Sequence, residues 1–319
     1  MAPVRIGILS TARINLPALI SPARLVPETA VTAVAARDRA RAEAYAVEHG
    51  IPVVHDSYAA LLEDPDVDAI YNPLPNSLHG TWTLRAIAAG KHVLCEKPFA
   101  SNAAEAGEVA AAARDSGLVV MEAMHYRYHP LARVMLDRLS LIAGPQARRQ
   151  DTIRHIHCAV SFPLEGLADI RYRYELAGGA TMDAGCYAID CVRLLGPGEP
   201  AVVAALATEQ DPGVDRAMTA FLRFPGGTTA WLEVSLTVGG KLRSEVHVVA
   251  RHGQMKVQNF IHPYVRYRVR TVTPEDTETI SSDPGAAAET TYLGQLRAFA
   301  AAVLRGEPFP DTYFDFPVR

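Results

Sequence analysis

The sequence predicts an α/β fold with two domains. The first is an N-terminal doubly wound parallel sheet over residues 1–122, and the second is an α+β domain over residues 123–319 with a large, mostly antiparallel open sheet. In the first part, short apolar runs of strand type alternate with helical patterns. After Glu122 this alternation stops, and strand-like segments follow one another with a hairpin turn at Pro225-Gly226-Gly227. A chain of 319 residues is long enough for two such cores.

Charge and composition exclude several classes of protein. With 31 basic and 35 acidic residues the net charge is −4, which is not typical of a nucleic-acid groove or a polybasic membrane patch. No apolar run approaches a membrane span, and Met1–Leu9 has the pattern of a first strand rather than of a cleavable signal. The four cysteines lack metal-like spacing and fit reduced thiols. We therefore expect a cytoplasmic protein that binds no metal, no nucleic acid and no membrane.

Six strands are predicted in the first domain, each a short apolar run between helical patterns. Asp38 and Ser57 are placed to cap the helices after the second and third strands, and Gly50 is placed to end the first of these helices. This order of strand and helix is typical of a doubly wound sheet. The predicted strands are Val4–Leu9, Val31–Ala35, Pro52–Val54, Asp68–Tyr71, Val93–Cys95 and Leu118–Met121.

The turn after the first strand stands where a phosphate-binding loop is expected. A dinucleotide fingerprint has glycines at the positions of Ser10, Ala12 and Asn15, and none is present here. Ser10 and Ala12 are nevertheless small, and the helix that follows can present backbone N–H groups to a pyrophosphate. The loop alone is therefore a weak indication of a dinucleotide.

The end of the second strand is more informative about the cofactor. An NAD-preferring domain usually has an acid there that accepts the ribose 2′-OH. This chain has Arg37 instead, with Arg41 one turn further on. Arginine suits a 2′-phosphate through charge-assisted hydrogen bonds, although both residues can also be ordinary surface arginines. The pattern favours NADP as the cofactor, with NAD possible.

The fifth strand ends in two charges and a proline, Glu96-Lys97-Pro98. Because ligands bind outside the carboxyl ends of parallel strands, Lys97 is expected at the mouth of the ligand crevice. Pro98 cannot donate to a sheet ladder and restricts Lys97 to extended conformations. A Lys-Pro bond is also among the few that can be cis. The alternative is a solvated lysine at a strand end.

The second domain is predicted to open with a helix at Arg133–Leu141 and a long strand at Arg148–Phe162. A loop over residues 163–178 and a helix that ends at Gly196 follow. Further strands are predicted at Ala201–Thr208, Ala217–Phe224, Thr228–Val238, Leu242–Ala250 and Tyr264–Val272, with a last helix at Tyr292–Leu304.

Asp183 and Tyr187 are four residues apart on a predicted helix, so both lie on one face. One interpretation is a helix cap beside a packed aromatic ring. The other is a tyrosine that donates and accepts a proton. The free phenol has a pKa near 10, and the Lys97 ammonium and a positively charged nicotinamide would both lower it.

Four stretches together resemble the Gfo/Idh/MocA oxidoreductases along nearly the whole chain. They are Asn72–His79, Gly90–Pro98, Glu122–Arg127 and Gly178–Tyr187. Many members carry histidine where Tyr187 stands. Tyrosine is similar to the branch that holds glucose-fructose oxidoreductase, NADP-linked xylose dehydrogenase and dimeric dihydrodiol dehydrogenase. The resemblance implies a Rossmann domain, NADP, a sugar or vicinal-diol substrate, and a homodimer or higher homo-oligomer formed through the C-terminal sheet.

The resemblance also implies a role for individual residues. Lys97 would polarise the substrate oxygen, Tyr187 would be the general acid/base, and Asp183 would orient the substrate or its neighbours. The substrate is expected to face Tyr126, Arg171 and Tyr172. The cofactor-binding residues would be Ser10, Thr11, Ala12, Arg13 and Ile14 at the pyrophosphate, Arg37 and Arg41 at the 2′-phosphate, and Asn72, Pro73, His79, Glu96 and Arg127 along the path from adenosine to nicotinamide.

The sequence therefore indicates an NADP-dependent dehydrogenase that transfers hydride between the nicotinamide and a sugar or vicinal-diol carbon. One alternative is a non-catalytic NADP-binding sensor or partner subunit, which need not keep Lys97 and Tyr187 together. Another is an enzyme impaired by an altered C-terminus. Relatives continue after the equivalent of Pro310 into a closing helix, whereas Pro308, Pro310 and Pro317 forbid a continuous helix here.

Overall fold

The chain divides into two compact units. A computed structural model describes residues 2–144, 152–166, 168–238, 240–282 and 289–306. The first unit holds Met1–Tyr128 together with the segment that begins at Tyr292, and the second unit holds His129–Thr291. The sequence predicts a single division, between residues 122 and 123, whereas the structure groups the last helix with the first unit.

The first unit contains a six-stranded sheet with the strand order β3-β2-β1-β4-β5-β6, and every pair of neighbours is parallel. The order reverses between β1 and β4, which is the mark of a doubly wound sheet. The predicted fold class of this domain is confirmed. The strands are β1 Val4–Leu9, β2 Thr29–Ala35, β3 Val53–His55, β4 Ala69–Asn72, β5 His92–Cys95 and β6 Val120–Glu122.

The helices between these strands begin and end where their capping residues predict. The Asp38 carboxylate accepts the Arg41 N–H at 3.2 Å, and the Ser57 hydroxyl accepts the Ala60 N–H at 3.1 Å. Gly50 ends α2 with φ 74°, a conformation that glycine adopts without strain. The helices are α1 Ser21–Ala23, which continues a π-helical turn at Leu16–Ile20, α2 Arg39–His49, α3 Tyr58–Glu63, α4 His79–Ala88 and α5 Ala103–Ser116, with 3₁₀ turns at Asn76–Leu78 and His125–Tyr128.

The last described helix, Thr291–Arg305, completes one face of this sheet. Leu296 and Phe299 are fully buried in a cluster with Ile6, Tyr71 and Leu94 of the strands. Burying one such side chain contributes about 1.5–3 kcal/mol. This packing is the physical reason why the helix belongs to the first unit. The predicted loss of the family's closing helix falls on residues 307–319, which lie outside the described residues.

The second unit contains an eight-stranded sheet with the order β14-β13-β12-β11-β7-β10-β9-β8. Only β7 and β10 pair in parallel, so the predicted, mostly antiparallel sheet is confirmed. The strands are β7 Ile153–Leu164, β8 Ala201–Asp211, β9 Val214–Arg223, β10 Thr229–Val238, β11 Arg243–Ala250, β12 Gly253–Gln258, β13 Arg268–Val272 and β14 Thr277–Ser281.

The second unit also contains the helices α6 at Pro130–Ala143 and α7 at Cys186–Leu195, and α7 carries Tyr187. The helix α6 precedes β7, and α7 continues a π-helical turn at Thr181–Gly185. Two 3₁₀ turns, Ile170–Tyr172 and Tyr174–Leu176, interrupt the segment between β7 and the π-helical turn. Across the described part of the chain, we find no helix that combines the length and the apolar character needed to span a bilayer.

Two strands of the structure were not predicted, and several predicted strand ends differ from the observed ones. The strands β12 and β14 were not predicted, because the first has only Met255 and Val257 buried among polar residues and the second is an exposed edge strand. The strand predicted from Tyr264 begins at Arg268, after a turn. The predicted start of β7 at residues 148–151 lies outside the described residues.

Candidate active site

The loop after β1 is closed by a side chain rather than by glycines. Ser10 has φ 110°, a region that favours glycine, and its N–H donates to the Ala35 carbonyl at 2.8 Å. Asn15, fully buried at the third fingerprint position, donates its side-chain amide to the Ser10 carbonyl at 2.9 Å. Asn15 thus braces the turn that three glycines form in the usual fingerprint.

This loop fits a bound pyrophosphate. Within the described chain, the backbone N–H groups of residues 11–14 donate to no other group, and the buried Ser10 hydroxyl has no hydrogen-bond partner. The π-helical turn at Leu16–Ile20 begins directly after Asn15, so the loop lies at a helix N-terminus. Arg13 is exposed, whereas Ile14 packs against the core and contributes only its backbone to the loop. Such N–H groups are the common protein donors to phosphate.

The arginines at the end of β2 differ in their contacts. Arg39 forms ion pairs with Glu43 and Asp56. Arg37 and Arg41 are exposed and form no ion pair with any residue that the structure describes. Arg41 donates to the Thr11 carbonyl at 3.4 Å, and Arg37 lies close enough to Tyr58 that its charge lowers the pKa of the phenol against the larger, opposing effect of burial. Two cations therefore flank the loop without an acidic partner among the described residues.

The loop after β5 is held by contacts on both sides of Lys97. The Glu96 N–H donates to the Asn72 carbonyl at 3.0 Å, and the Glu96 carboxylate accepts the Tyr71 hydroxyl at 2.8 Å. The Lys97–Pro98 peptide bond is cis. On the far side, the Phe99 N–H donates to the Glu122 carboxylate at 2.9 Å. Lys97 itself is half-buried at the carboxyl end of β5, where the sequence predicts it.

His79 joins this loop to the loop that follows β4. Its Nδ1 lies 2.6 Å from the Pro98 carbonyl oxygen, and its Nε2 lies 2.7 Å from the Leu74 carbonyl oxygen. Burial lowers the pKa of His79, and the hydrogen bonds to these two carbonyls oppose that effect. This histidine, predicted to line the cofactor path, is buried and bridges two loops of the site.

Asn72 and Pro73 are buried rather than open to solvent. The Asn72 side-chain amide donates to the His79 carbonyl at 3.1 Å and to the Thr83 hydroxyl at 3.3 Å. Its oxygen accepts the Leu74 N–H at 3.4 Å. The predicted cofactor contacts of Asn72 and Pro73 stay predictions, and the observed contacts of Asn72 fix the shape of the loop after β4.

In the second unit, Asp183 lies in the π-helical turn and its carboxylate is 3.2 Å from the Arg171 guanidinium. Arg171 also contacts Asp169 at 3.1 Å, so one guanidinium bridges two acids. The start of the turn is fixed by Asp215, whose carboxylate accepts the N–H and the hydroxyl of Thr181 at 2.9 and 2.7 Å.

The glycine pair before this turn permits close approach. A side-chain carbon at Gly178 would lie 2.5 Å from the Arg171 carbonyl oxygen, and one at Gly179 would overlap with Asp215. Gly179 also has φ 120°. Only glycine fits both positions without a shift of the neighbouring backbone or side chain.

Tyr187 lies in α7 and is 4% exposed. Its ring makes an edge contact with Phe162 at 6.2 Å between centroids. Phe162 in turn contacts His262 at 6.3 Å, and His262 contacts Tyr264 at 5.9 Å. Phe162, His262 and Tyr264 were not predicted as site residues. In the sequence, Phe162 is only the last residue of a predicted strand, and His262 and Tyr264 belong to a His-Pro-Tyr run in a turn.

The residues expected to face the substrate or cofactor nearby are mostly buried. Tyr126 is 1% exposed, and the buried Tyr172 hydroxyl donates to the Leu236 carbonyl. Burial raises the pKa of Tyr172. Arg127 is half-buried in the 3₁₀ turn after β6. The predicted substrate contacts of Tyr126 and Tyr172 and the predicted role of Arg127 stay predictions.

A doubly wound parallel sheet with a tight loop after its first strand, followed by a large open sheet, is typical of two-domain dinucleotide-dependent oxidoreductases. Residues 4–124 match an oxidoreductase family with an NAD-binding Rossmann fold, and residues 147–256 match the C-terminal domain of the Gfo/Idh/MocA proteins. The chain belongs to the Gfo/Idh/MocA oxidoreductase family, and the resemblance seen in the sequence motifs is confirmed.

Several relatives match over most of the chain. D-xylose 1-dehydrogenase (NADP(+)) 2 of Haloferax volcanii is 37% identical over 303 residues, which cover 94% of this chain and 89% of that protein. Trans-1,2-dihydrobenzene-1,2-diol dehydrogenase of Sus scrofa is 32% identical over 239 residues, covering 73% and 68%. The structure of KijD10, a 3-ketoreductase from Actinomadura kijaniata in complex with NADP and TDP-benzene, superposes with a TM-score of 0.85 at 31% identity and covers 98% of this chain and 93% of that one.

Proposed function

We propose that this protein is an NADP-dependent oxidoreductase that transfers a hydride between the nicotinamide and a carbon of a sugar or vicinal diol. The observation that carries the proposal is the joint presence of Lys97, held by its loop after β5, and Tyr187, on the helix that follows Asp183. A non-catalytic sensor would need the phosphate loop and Arg37 but neither of these residues. The relatives named above, which act on xylose and on a dihydrodiol, support the substrate class.

Lys97 and Tyr187 would have different roles in the reaction. The nicotinamide, when bound, supplies or receives the hydride. In the oxidative direction, Tyr187 in its phenolate form would accept the proton of the substrate hydroxyl while hydride leaves the carbon that carries this hydroxyl. In the reductive direction, the neutral phenol would donate that proton to the carbonyl oxygen as hydride reaches the carbon. The Lys97 ammonium would polarise the oxygen on which negative charge develops. Asp183, paired with Arg171, would orient the substrate rather than exchange its proton.

The first unit would hold the cofactor through the phosphate loop and the two arginines without acidic partners. The loop N–H groups of residues 11–14 and the Ser10 hydroxyl would bind the pyrophosphate. Arg37 and Arg41 would bind the 2′-phosphate, since charge-assisted pairs with a phosphate are the strong use of a guanidinium.

Replacing Arg37 by alanine is expected to weaken NADP binding by about 1.5–3 kcal/mol, the range for a hydrogen bond to a charged group. The affinity for NAD should change little, because NAD lacks the 2′-phosphate. Isothermal titration of both cofactors measures the effect. The matched control is Arg39→Ala, two residues away on the same helix start, because the acids Glu43 and Asp56 already bind that guanidinium. Equal losses for NADP and NAD would show that Arg37 does not bind the phosphate.

A substrate screen tests the function itself. The native protein is mixed with NADP or NAD and with aldoses, vicinal diols and, in the reductive direction, dicarbonyls and nucleotide-linked keto sugars, and the absorbance of the reduced cofactor is followed. We expect turnover of at least one sugar or diol with NADP preferred over NAD. Tight NADP binding without turnover across all these classes would support the sensor instead.

We also propose that the second unit forms a homodimer or higher homo-oligomer through its open sheet. The edge strand β8 is exposed along nearly its whole length, with Leu206 75% exposed and Val202 69% exposed. Beside it, Phe221 stacks on Trp231 with 5.2 Å between ring centroids. An apolar edge of this kind is usually covered in native proteins, and a second copy would cover it.

Replacing Leu206 by glutamate is expected to shift the protein to a smaller assembly, because burying an unpaired carboxylate in an apolar interface is costly. Sedimentation velocity of both forms measures the shift. The control is Leu25→Glu, which places the same charge on an exposed leucine of the first unit. A native protein that sediments as a monomer would contradict the proposed assembly.

We place the protein in the cytoplasm, and its four cysteine thiols support this location.

A further inference from the structure

Tyr71 is a buried polar residue beside the site to which the proposed chemistry gives no role. It lies in β4 opposite Leu94 of β5 and has no exposed surface. Side chains two residues apart on a strand point to the same face, so Glu96 continues the face of Leu94 just beyond the end of β5. The phenol of Tyr71 therefore points along the sheet toward the loop that carries Lys97.

The Tyr71 hydroxyl donates to Glu96 Oε1 at 2.8 Å, and Glu96 Oε2 accepts the Lys97 backbone N–H at 3.3 Å. Glu96 is 8% exposed. A carboxylate this far from water is stable only when donors surround it, so the Tyr71 hydrogen bond fixes its orientation. Burial and the neighbouring carboxylate raise the pKa of Tyr71, which keeps the hydroxyl protonated and able to donate.

The chain is thus held by hydrogen bonds on both sides of Lys97. On the amino side, Glu96 is held by the Tyr71 hydroxyl and by its backbone bond to Asn72. On the carboxyl side, Pro98 is held by His79. The amino-side anchor reaches the loop from the core of the sheet, where Tyr71 is packed in the same cluster as Leu296 and Phe299.

We propose that Tyr71 is a positioning residue that orients Lys97 through the carboxylate of Glu96. The inference rests on the proposed function, because it takes Lys97 as the group that polarises the substrate oxygen. The phenol touches neither substrate nor cofactor in this scheme. It acts on the reaction only through the geometry of the Glu96-Lys97 segment.

The test is Tyr71→Phe, which keeps the ring in the core and removes the hydroxyl alone. We expect kcat to fall about ten- to hundredfold, the usual effect of a small displacement of a catalytic group. KM for the best substrate and the NADP dissociation constant should stay within about twofold of the native values, since no binding contact is lost. The control is Tyr267→Phe, which removes a phenol hydroxyl from a ring packed on His129 in the second unit and should keep native kcat. A native kcat for Tyr71→Phe overturns the proposal.

A second variant shows whether Tyr71 acts through Glu96. Glu96→Gln keeps the side-chain volume and removes the charge that the phenol stabilises. Adding Tyr71→Phe to Glu96→Gln should lower kcat much less than adding it to the native protein, because both substitutions weaken the same contact. Fully additive losses would contradict a path through Glu96. If Tyr71→Phe does not fold, Glu96→Gln alone should still lower kcat, and a native kcat for it overturns the proposal.

A readout without turnover separates this inference from the proposed function. Brief acetylation with acetic anhydride, followed by mass spectrometry, gives the labelling rate of Lys97 relative to the exposed Lys241 and Lys256. This ratio should change in Tyr71→Phe and stay native in Tyr267→Phe. If the native protein reduces or oxidises nothing in the substrate screen, the proposed function fails, and an unchanged labelling ratio in Tyr71→Phe would then overturn the positioning role separately.

Discussion

Replacing Tyr187 by phenylalanine is expected to lower kcat by about two to four powers of ten, the usual contribution of a positioned acid or base. The ring would keep its edge contact with Phe162 and its place in α7, so the fold should be preserved. NADP affinity should stay native, because the proposed cofactor contacts lie in the first unit. Steady-state kinetics on the best substrate and titration of NADP measure both quantities.

The control for this variant is Tyr267→Phe, which also removes a phenol hydroxyl. Tyr267 lies in the same unit as Tyr187, and its ring packs on His129. It should keep native turnover. A turnover of Tyr187→Phe within about twofold of the native value would mean that another group moves the proton, since general acid–base help is worth far more than that. The general acid/base role of Tyr187 would then be wrong, although NADP binding would be unaffected.

Replacing Lys97 by alanine is expected to lower kcat by a similar factor, about two to four powers of ten, because the charge that stabilises the developing oxyanion is lost. Lys97→Arg keeps the positive charge but moves it and spreads it over a planar group, so we expect it to recover only part of the loss. The control is Lys241→Ala at an exposed lysine of the second unit. Equal turnover for Lys97→Ala and the native protein would assign Lys97 to structure alone.

The strands of the first domain could be predicted closely, because strands buried on both faces appear as continuous apolar runs. The predicted Val4–Leu9 matches β1 residue for residue, and Val93–Cys95 misses only His92 of β5. The sheet of the second unit is half-exposed, so its strands carry a weaker, alternating pattern. The strands β12 and β14 were missed for this reason, since most of their residues are polar and exposed.

The candidate site residues were predicted from their position at strand and helix ends, because ligands of a parallel sheet bind outside the carboxyl ends of its strands. Lys97 at the end of β5 is one example, and Arg37 at the end of β2 is another. Contacts between residues far apart in sequence had no such signal. The Tyr71–Glu96 hydrogen bond spans 25 positions and the Thr181–Asp215 contact spans 34. Each contact joins residues of two different segments, and the spacing of residues along the chain does not show which of these side chains meet.

The local conformation of the loop after β1 could not be predicted from the sequence either. A positive φ at a serine is uncommon, and the amide of Asn15 that braces the turn has no counterpart in the glycine fingerprint. The missing glycines therefore weaken the sequence motif, whereas the structure has a tight turn at this place. The loop keeps its small residues and its hydrogen-bond donors while using a different brace.

The most direct test of the account follows the hydride itself. The best substrate of the screen, deuterated at the carbon that carries the reacting hydroxyl, is mixed with NADP and the native enzyme, and the mass of the reduced cofactor is measured. We expect reduced cofactor that carries the deuterium, formed rapidly by the native protein and about two to four powers of ten more slowly by Tyr187→Phe and Lys97→Ala. Reduced cofactor without deuterium, or none with any sugar or diol despite bound NADP, would contradict hydride transfer from a sugar or diol carbon.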